Sequence, residues 1–120
     1  MKTILTIEDS QRLIELGVDP KLASRRKTEY DENVVPRSYP IFTLTDILNI
    51  LPKGIVHKGL WIKFRITTWI DEPWFAGYQN QIGEYVTPNH APFSAPELID
   101  ALYQLLIWVI ENGYIYLKEK

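Results

Sequence analysis

Apolar residues crowd positions 98–110, where Asp100 and Gln104 alone are polar. At about 100° per residue, Glu97, Asp100, Gln104 and Glu111 fall on one narrow stripe, which Ile107 interrupts. The apolar arc around the rest of the cylinder spans roughly 220°, against the ~100° that a helix lying on one surface requires. Ser94 and Glu97 form an S-x-x-E pattern with Pro96 in the first turn, and Gly113 supplies a stop, so a helix is predicted over 94–113. Such a helix must be covered from two sides, by its own domain or by a partner.

The same reading places the other elements. A helix starts after Thr6, with Asp9 three residues on, and runs to Leu16 before Gly17. A short turn or helix at 20–24 leads into Arg25, Arg26 and Lys27. Residues 28–42, with Pro36, Pro40 and a polar stretch at 30–33, read as a long surface loop. A second helix over 44–51 opens at Thr43 with Asp46 at its third position, stops before Pro52, and carries the stripe Leu44, Ile47, Leu48 and Leu51. After Gly59 the period becomes two: Leu60, Ile62, Phe64 and Ile66 alternate with Trp61, Lys63, Arg65 and Thr67, a half-buried strand. Residues 74–79 and 84–87 complete a three-stranded antiparallel meander, and 114–117 could add a terminal strand. The predicted architecture is one α+β domain over 1–120, with the meander packed on the long C-terminal helix and two shorter helices before it.

Composition narrows the chemistry. A chain of 120 residues can bury roughly 65% of its unfolded surface without staples. With no cysteine, disulfides, thiolate chemistry and Cys-based zinc sites are excluded. The apolar N-terminal stretch is too short for a signal peptide and the apolar run near the C-terminus too short for a membrane span, which predicts a soluble, cytoplasmic protein. The net charge of −2 is spread unevenly, with 11 Lys/Arg against 8 Asp/Glu in residues 1–70 and 2 against 7 in 71–120. That offset is too mild to imply a nucleic-acid partner by itself.

Three segments taken together carry a resemblance: Ser10-Gln11-Arg12-Leu13-Ile14-Glu15-Leu16-Gly17, then 43–52 closing in Leu51-Pro52, then Ser94-Ala95-Pro96-Glu97-Leu98-Ile99-Asp100-Ala101 running on to Trp108. In that order, with the Trp74-Phe75 pair between them, the chain resembles a family of small proteins of unassigned activity met in phages, prophages and related genomes of anaerobic gut bacteria. The match spans about residues 10–112. The resemblance implies an origin and a fold. It transfers no activity and no residue role.

Candidate chemistry is sparse. His57 and His90 lie in loops beside Gly or Pro, without HExxH or His-x-His spacing, and a convergence with Asp71 is not required by anything in the pattern. Glu29, Asp31 and Glu32 lack the spacing and glycine of a calcium loop. There is no G-x-S-x-G and no Gly-rich phosphate loop. No catalytic residue, metal ligand or cofactor is implied.

Two surfaces stand out. Arg25, Arg26 and Lys27 form the densest basic run, readable as a phosphate contact or as an exposed helix end. On the strand, if the even positions face the core, then Trp61, Lys63, Arg65 and Trp69 face out, joined by Trp74 and Tyr78, or else by Phe75. Aromatics interleaved with cations can clamp a peptide or stack bases; equally, they can be cross-strand pairs that stabilise an open sheet. The sequence therefore predicts a non-enzymatic interaction module with a protein partner. Nucleic-acid binding through Lys63, Arg65 and the basic run is the alternative, and an enzyme with an unrecognised site comes third. A monomer is preferred to a homodimer built on the Ile107 strip.

Overall fold

Three helices and two antiparallel sheets make up the described part of the computed structural model, residues 1–31, 34–68 and 73–115. In chain order they are α1 (Ile7–Glu15), β1 (Arg25–Asp31), β2 (Val34–Ile41), α2 (Leu44–Ile50), β3 (Gly54–His57), β4 (Leu60–Thr67), β5 (Trp74–Gln79), β6 (Phe93–Ala95) and α3 (Leu98–Glu111). The α+β class stands, and the sheet is larger than the predicted meander. β3-β4-β5-β6 form a four-stranded sheet, and β1-β2 a separate two-stranded one. Among the described residues no helix is long and apolar enough to cross a membrane.

The first two helices begin where their caps predict. The Thr6 hydroxyl accepts the Asp9 N–H at 3.1 Å. Thr43 and Asp46 form a reciprocal capping box. The third helix corrects its prediction. Ser94 is not a cap, because residues 93–95 are extended and pair with β5, with Ser94 opposite Phe75. Glu97 is the N-cap and makes no side-chain bond to its own helix. Its carboxylate instead accepts the backbone N–H of Lys2 at 3.0 Å, while the Lys2 ammonium pairs with Asp100 at 2.9 Å. The start of the chain thus supplies the positive partner to the first turn of α3.

Residues 28–42 also differ from expectation: they are most of a β-hairpin, not a loop. The prolines are compatible with it because Pro40 stands opposite Arg26 at a position whose N–H would point away from β1. Residues 84–87 form no strand of their own; Tyr85 makes a single bridge to Gln79. The possible strand at 114–117 is absent at Tyr114 and Ile115, and the rest of it lies outside the described residues.

The broad apolar arc of α3 is covered by β5 and β6 on one side and by α2 on the other. α1 reaches it too, with Asp9 and Arg12 near enough to act on the Tyr103 hydroxyl. Burial first, then the Asp9 carboxylate, push that hydroxyl up to about 12, with Arg12 opposing. Leu102, Leu105, Val109 and Ile62 are buried as predicted. Phe64 is half-buried, and Leu60 and Ile66 on the same side of β4 are exposed. The reason is the position of α3, which runs beneath β5 and β6 and leaves β4 less covered.

Candidate binding face

The face of the four-stranded sheet opposite α3 gathers the cations of β4. Strand alternation puts Trp61, Lys63, Arg65 and Thr67 on it, and all but Thr67 are exposed. The register adds Val56 opposite Trp61, Gln79 opposite Lys63, Gly77 opposite Arg65 and Phe75 opposite Thr67.

Glycines shape this face. A Cβ at Gly54 would lie 2.4 Å from Cζ2 of Trp61, so the indole of Trp61 can settle across β3 because position 54 has no side chain. Likewise a Cβ at Gly77 would meet the Tyr85 ring at 2.7 Å. The two rings rest on the strands either side of β4, with Lys63 and Arg65 on the strand between them. Replacing Gly54 by alanine is expected to lift the indole from the sheet at a cost of about 1 kcal/mol, checked by a denaturant midpoint together with increased acrylamide quenching of tryptophan fluorescence.

A groove of about 550 Å³ runs beside Trp61, Lys63 and Arg65 to the 79–82 turn, and no carboxylate is among its lining residues. The turn is held by its own bonds. The Asn80 side-chain oxygen accepts from the N–H groups of Ile82 and Glu84 at 3.1 and 2.9 Å, and the Gln79 amide donates to the Gly83 carbonyl at 3.0 Å. Gly83 has φ +87°, which admits glycine at little cost. Ile82 is thereby presented on a fixed wall.

Two predicted members of the face belong elsewhere. Trp74 and Tyr78 point to the helix side, because β5 sets Phe75, Gly77 and Gln79 outward. Tyr78 is fully buried, and its hydroxyl donates to the Pro52 carbonyl at 2.7 Å. Burial raises its pKa well above the ordinary phenol value. Trp69 and Asp71 lie outside the described residues.

Arg25, Arg26 and Lys27 are on the hairpin, not at a helix end, and Arg26 is already bonded to the hydroxyl and carbonyl of Ser38 at 2.7 and 3.0 Å. They line a second groove, against the N-terminal segment, together with Glu8 and Glu29. The two basic groups are therefore in different grooves. The histidines are also apart: His57 ends β3 at one edge of the sheet, and His90 precedes β6 at the other. His57 shares a 2.6 Å hydrogen bond with the Tyr114 hydroxyl, and Tyr114 packs on Trp108 with ring centres 5.1 Å apart. That arrangement fastens the end of α3 to the sheet edge.

Sequence reasoning missed Val56, Gln79 and Ile82 as members of the face. The alternation in β3 is only four residues long, and Ile82 sits in a turn with no periodicity to betray it.

No family model matches the chain, and no solved structure matches it. Among curated proteins it is similar to GDP-L-galactose phosphorylase 2 of Arabidopsis thaliana, at 28% identity over 114 residues. The aligned stretch is 90% of this chain and 26% of the plant protein, so the chain spans about a quarter of that relative's length.

Proposed function

We propose that this protein is a non-enzymatic interaction module of phage or mobile-element origin that binds a protein partner on the outer face of its four-stranded sheet. One observation carries the reading: Trp61 and Ile82, 58% and 79% exposed, line a groove that Lys63 and Arg65 flank, Val56, 62% exposed, stands opposite Trp61 on the same face, and Leu60, 64% exposed, reaches the groove from the other side of β4. Large apolar side chains grouped with an aromatic anchor and a cationic rim have the makeup of a protein-binding hot spot. The complementary partner segment carries apolar side chains flanked by carboxylates. The order of the sequence motifs supports the origin.

Nucleic acid is the second reading, favoured by the position of the Trp61 ring across Gly54, a platform on which a base could stack beside two cations. The partial likeness to a plant enzyme whose name includes a nucleotide sugar adds little, since it spans about a quarter of that enzyme.

The test uses the immobilised protein and host lysate, with fluorescein-labelled oligothymidine as the nucleic-acid probe. A protein retained by the wild type should be lost, at least about tenfold, with Trp61→Ala or Lys63→Glu/Arg65→Glu and kept by His90→Ala. Salt-sensitive oligothymidine binding that the same charge reversals abolish would replace the protein reading with the nucleic-acid one. Retention indifferent to all these changes would remove the sheet face from consideration.

A further inference from the structure

We infer that two copies of this chain associate through β1, edge to edge and antiparallel, about a two-fold axis at Thr28. The inference uses a surface separate from the outer face of the four-stranded sheet.

The hairpin is a sheet of its own, not hydrogen-bonded into the four-stranded one. Residues 24–30 and 35–38 are exposed throughout. A lone two-stranded hairpin is marginal in water, and further strands are what ordinarily stabilise it.

Its two edges differ. β2 carries Pro36 and Pro40, which remove outward donors, and the segment after β2 is bonded to the N-terminal residues, with Leu5 N–H donating to the Phe42 carbonyl at 3.0 Å. β1 has no proline and seven residues, against three or four in the edge strands β3 and β6 of the other sheet. Because a proline cannot donate, the Arg26–Pro40 pair is of the non-hydrogen-bonded kind, and by alternation so is Thr28–Ser38. The N–H and C=O groups of Arg26 and Thr28 therefore point away from β2. Among the described residues no backbone bond reaches them from that side.

Charge selects the occupant. β1 reads Arg25-Arg26-Lys27-Thr28-Glu29-Tyr30-Asp31, basic at its start and acidic at its end. Laid antiparallel on itself with Thr28 opposite Thr28, Lys27 meets Glu29 and Arg26 meets Tyr30, and the position of Arg25 falls opposite that of Asp31. Every charged position thus faces an opposite charge or an aromatic ring. The outward groups of Arg26 and Thr28 then form the hydrogen-bonded pairs. A parallel, in-register pairing would set each charge on its own copy, which is repulsive. The same charges that discourage most strands from adding to this edge favour its own antiparallel copy, and each favourable pair occurs twice by symmetry. The product is one four-stranded sheet, β2-β1-β1-β2, with both outer edges proline-bearing. It leaves each copy's Trp61 face free.

Sedimentation equilibrium of the full chain tests this. The wild type should dimerise between about 10 and 100 µM. Lys27→Glu and Glu29→Lys should each weaken the dimer at least about tenfold, since two attractions become two repulsions. An equimolar mixture of these two variants, and the double variant Lys27→Glu/Glu29→Lys, should regain it. Thr28→Pro should abolish it while leaving the circular dichroism unchanged, because that N–H is not used within the hairpin. Trp61→Ala should leave the dimer intact. A wild type still monomeric at about 100 µM overturns the inference. So does a dimer that persists in Lys27→Glu and Thr28→Pro, or one dissolved by Ile107→Glu instead.

Discussion

Truncating Leu105 to alanine is expected to lower the stability of this protein by about 2–5 kcal/mol, a large part of what a domain of this size possesses. Leu105 is wholly inaccessible, near the middle of a helix pressed by β5 and β6 from one side and α2 from the other. A cavity there is walled by elements of different origin in the chain, so no single shift can close it, and the cost should sit in the upper half of the range. Leu102 is equally buried and should behave alike. Ile107, on the polar stripe of the same helix and half-exposed, should lose less than about 1 kcal/mol on the same truncation. Urea midpoints at constant m decide it: equal losses at 105 and 107 would mean that α3 is mounted on a different face.

That the helix needed two covers was legible in the sequence because its apolar arc is a local property. Its starting point was not. Ser94, Pro96 and Glu97 compose a credible cap, yet Ser94 is drawn into β6 by Phe75, and Glu97 is engaged by Lys2, 95 positions away. A local signal lost to two contacts that sequence spacing cannot display. The caps at Thr6 and Thr43 succeeded because both partners of each bond lie within three residues.

The hairpin was hidden for a different reason. Proline ordinarily argues against a strand, and Pro36 and Pro40 sit in one; the argument fails because β2 lies at the edge of a two-stranded sheet. The candidate face was readable along β4, where Lys63, Arg65 and Trp61 fall on one side by alternation. It was not readable along β5, where Trp74, Phe75 and Tyr78 place aromatics on both faces. There the choice rests on the Tyr78 hydroxyl, which finds a buried acceptor in the Pro52 carbonyl.

The second large effect concerns Asp46, which is 8% exposed and ties the start of α2 to the chain ahead of β1. Its carboxylate accepts the Ser24 N–H, the Ser24 hydroxyl and the Thr43 N–H, each at 2.9 Å. Burial by itself would raise its pKa, but these bonds, together with the Thr43 side chain, outweigh burial and hold it below the ordinary carboxylate value. Asp46→Ala removes all three acceptor contacts and half of the capping box, leaving two backbone donors to find water. A loss of about 2–4 kcal/mol is expected. All three bonds reach the same oxygen, Oδ2, so Asp46→Asn can keep the acceptor while losing its charge, and should lose less. The lowered pKa fixes the sign of the pH dependence. In the folded state the proton is bound less readily than in the unfolded chain, so this contribution is fully present above the unfolded carboxylate pKa. It is lost as the pH falls through that value and then through the lower folded one. Midpoints for wild type and Asp46→Ala measured from pH 7 downward should therefore converge on acidification. A gap that stays constant to the acid limit would show that the ionised carboxylate is not what holds this junction.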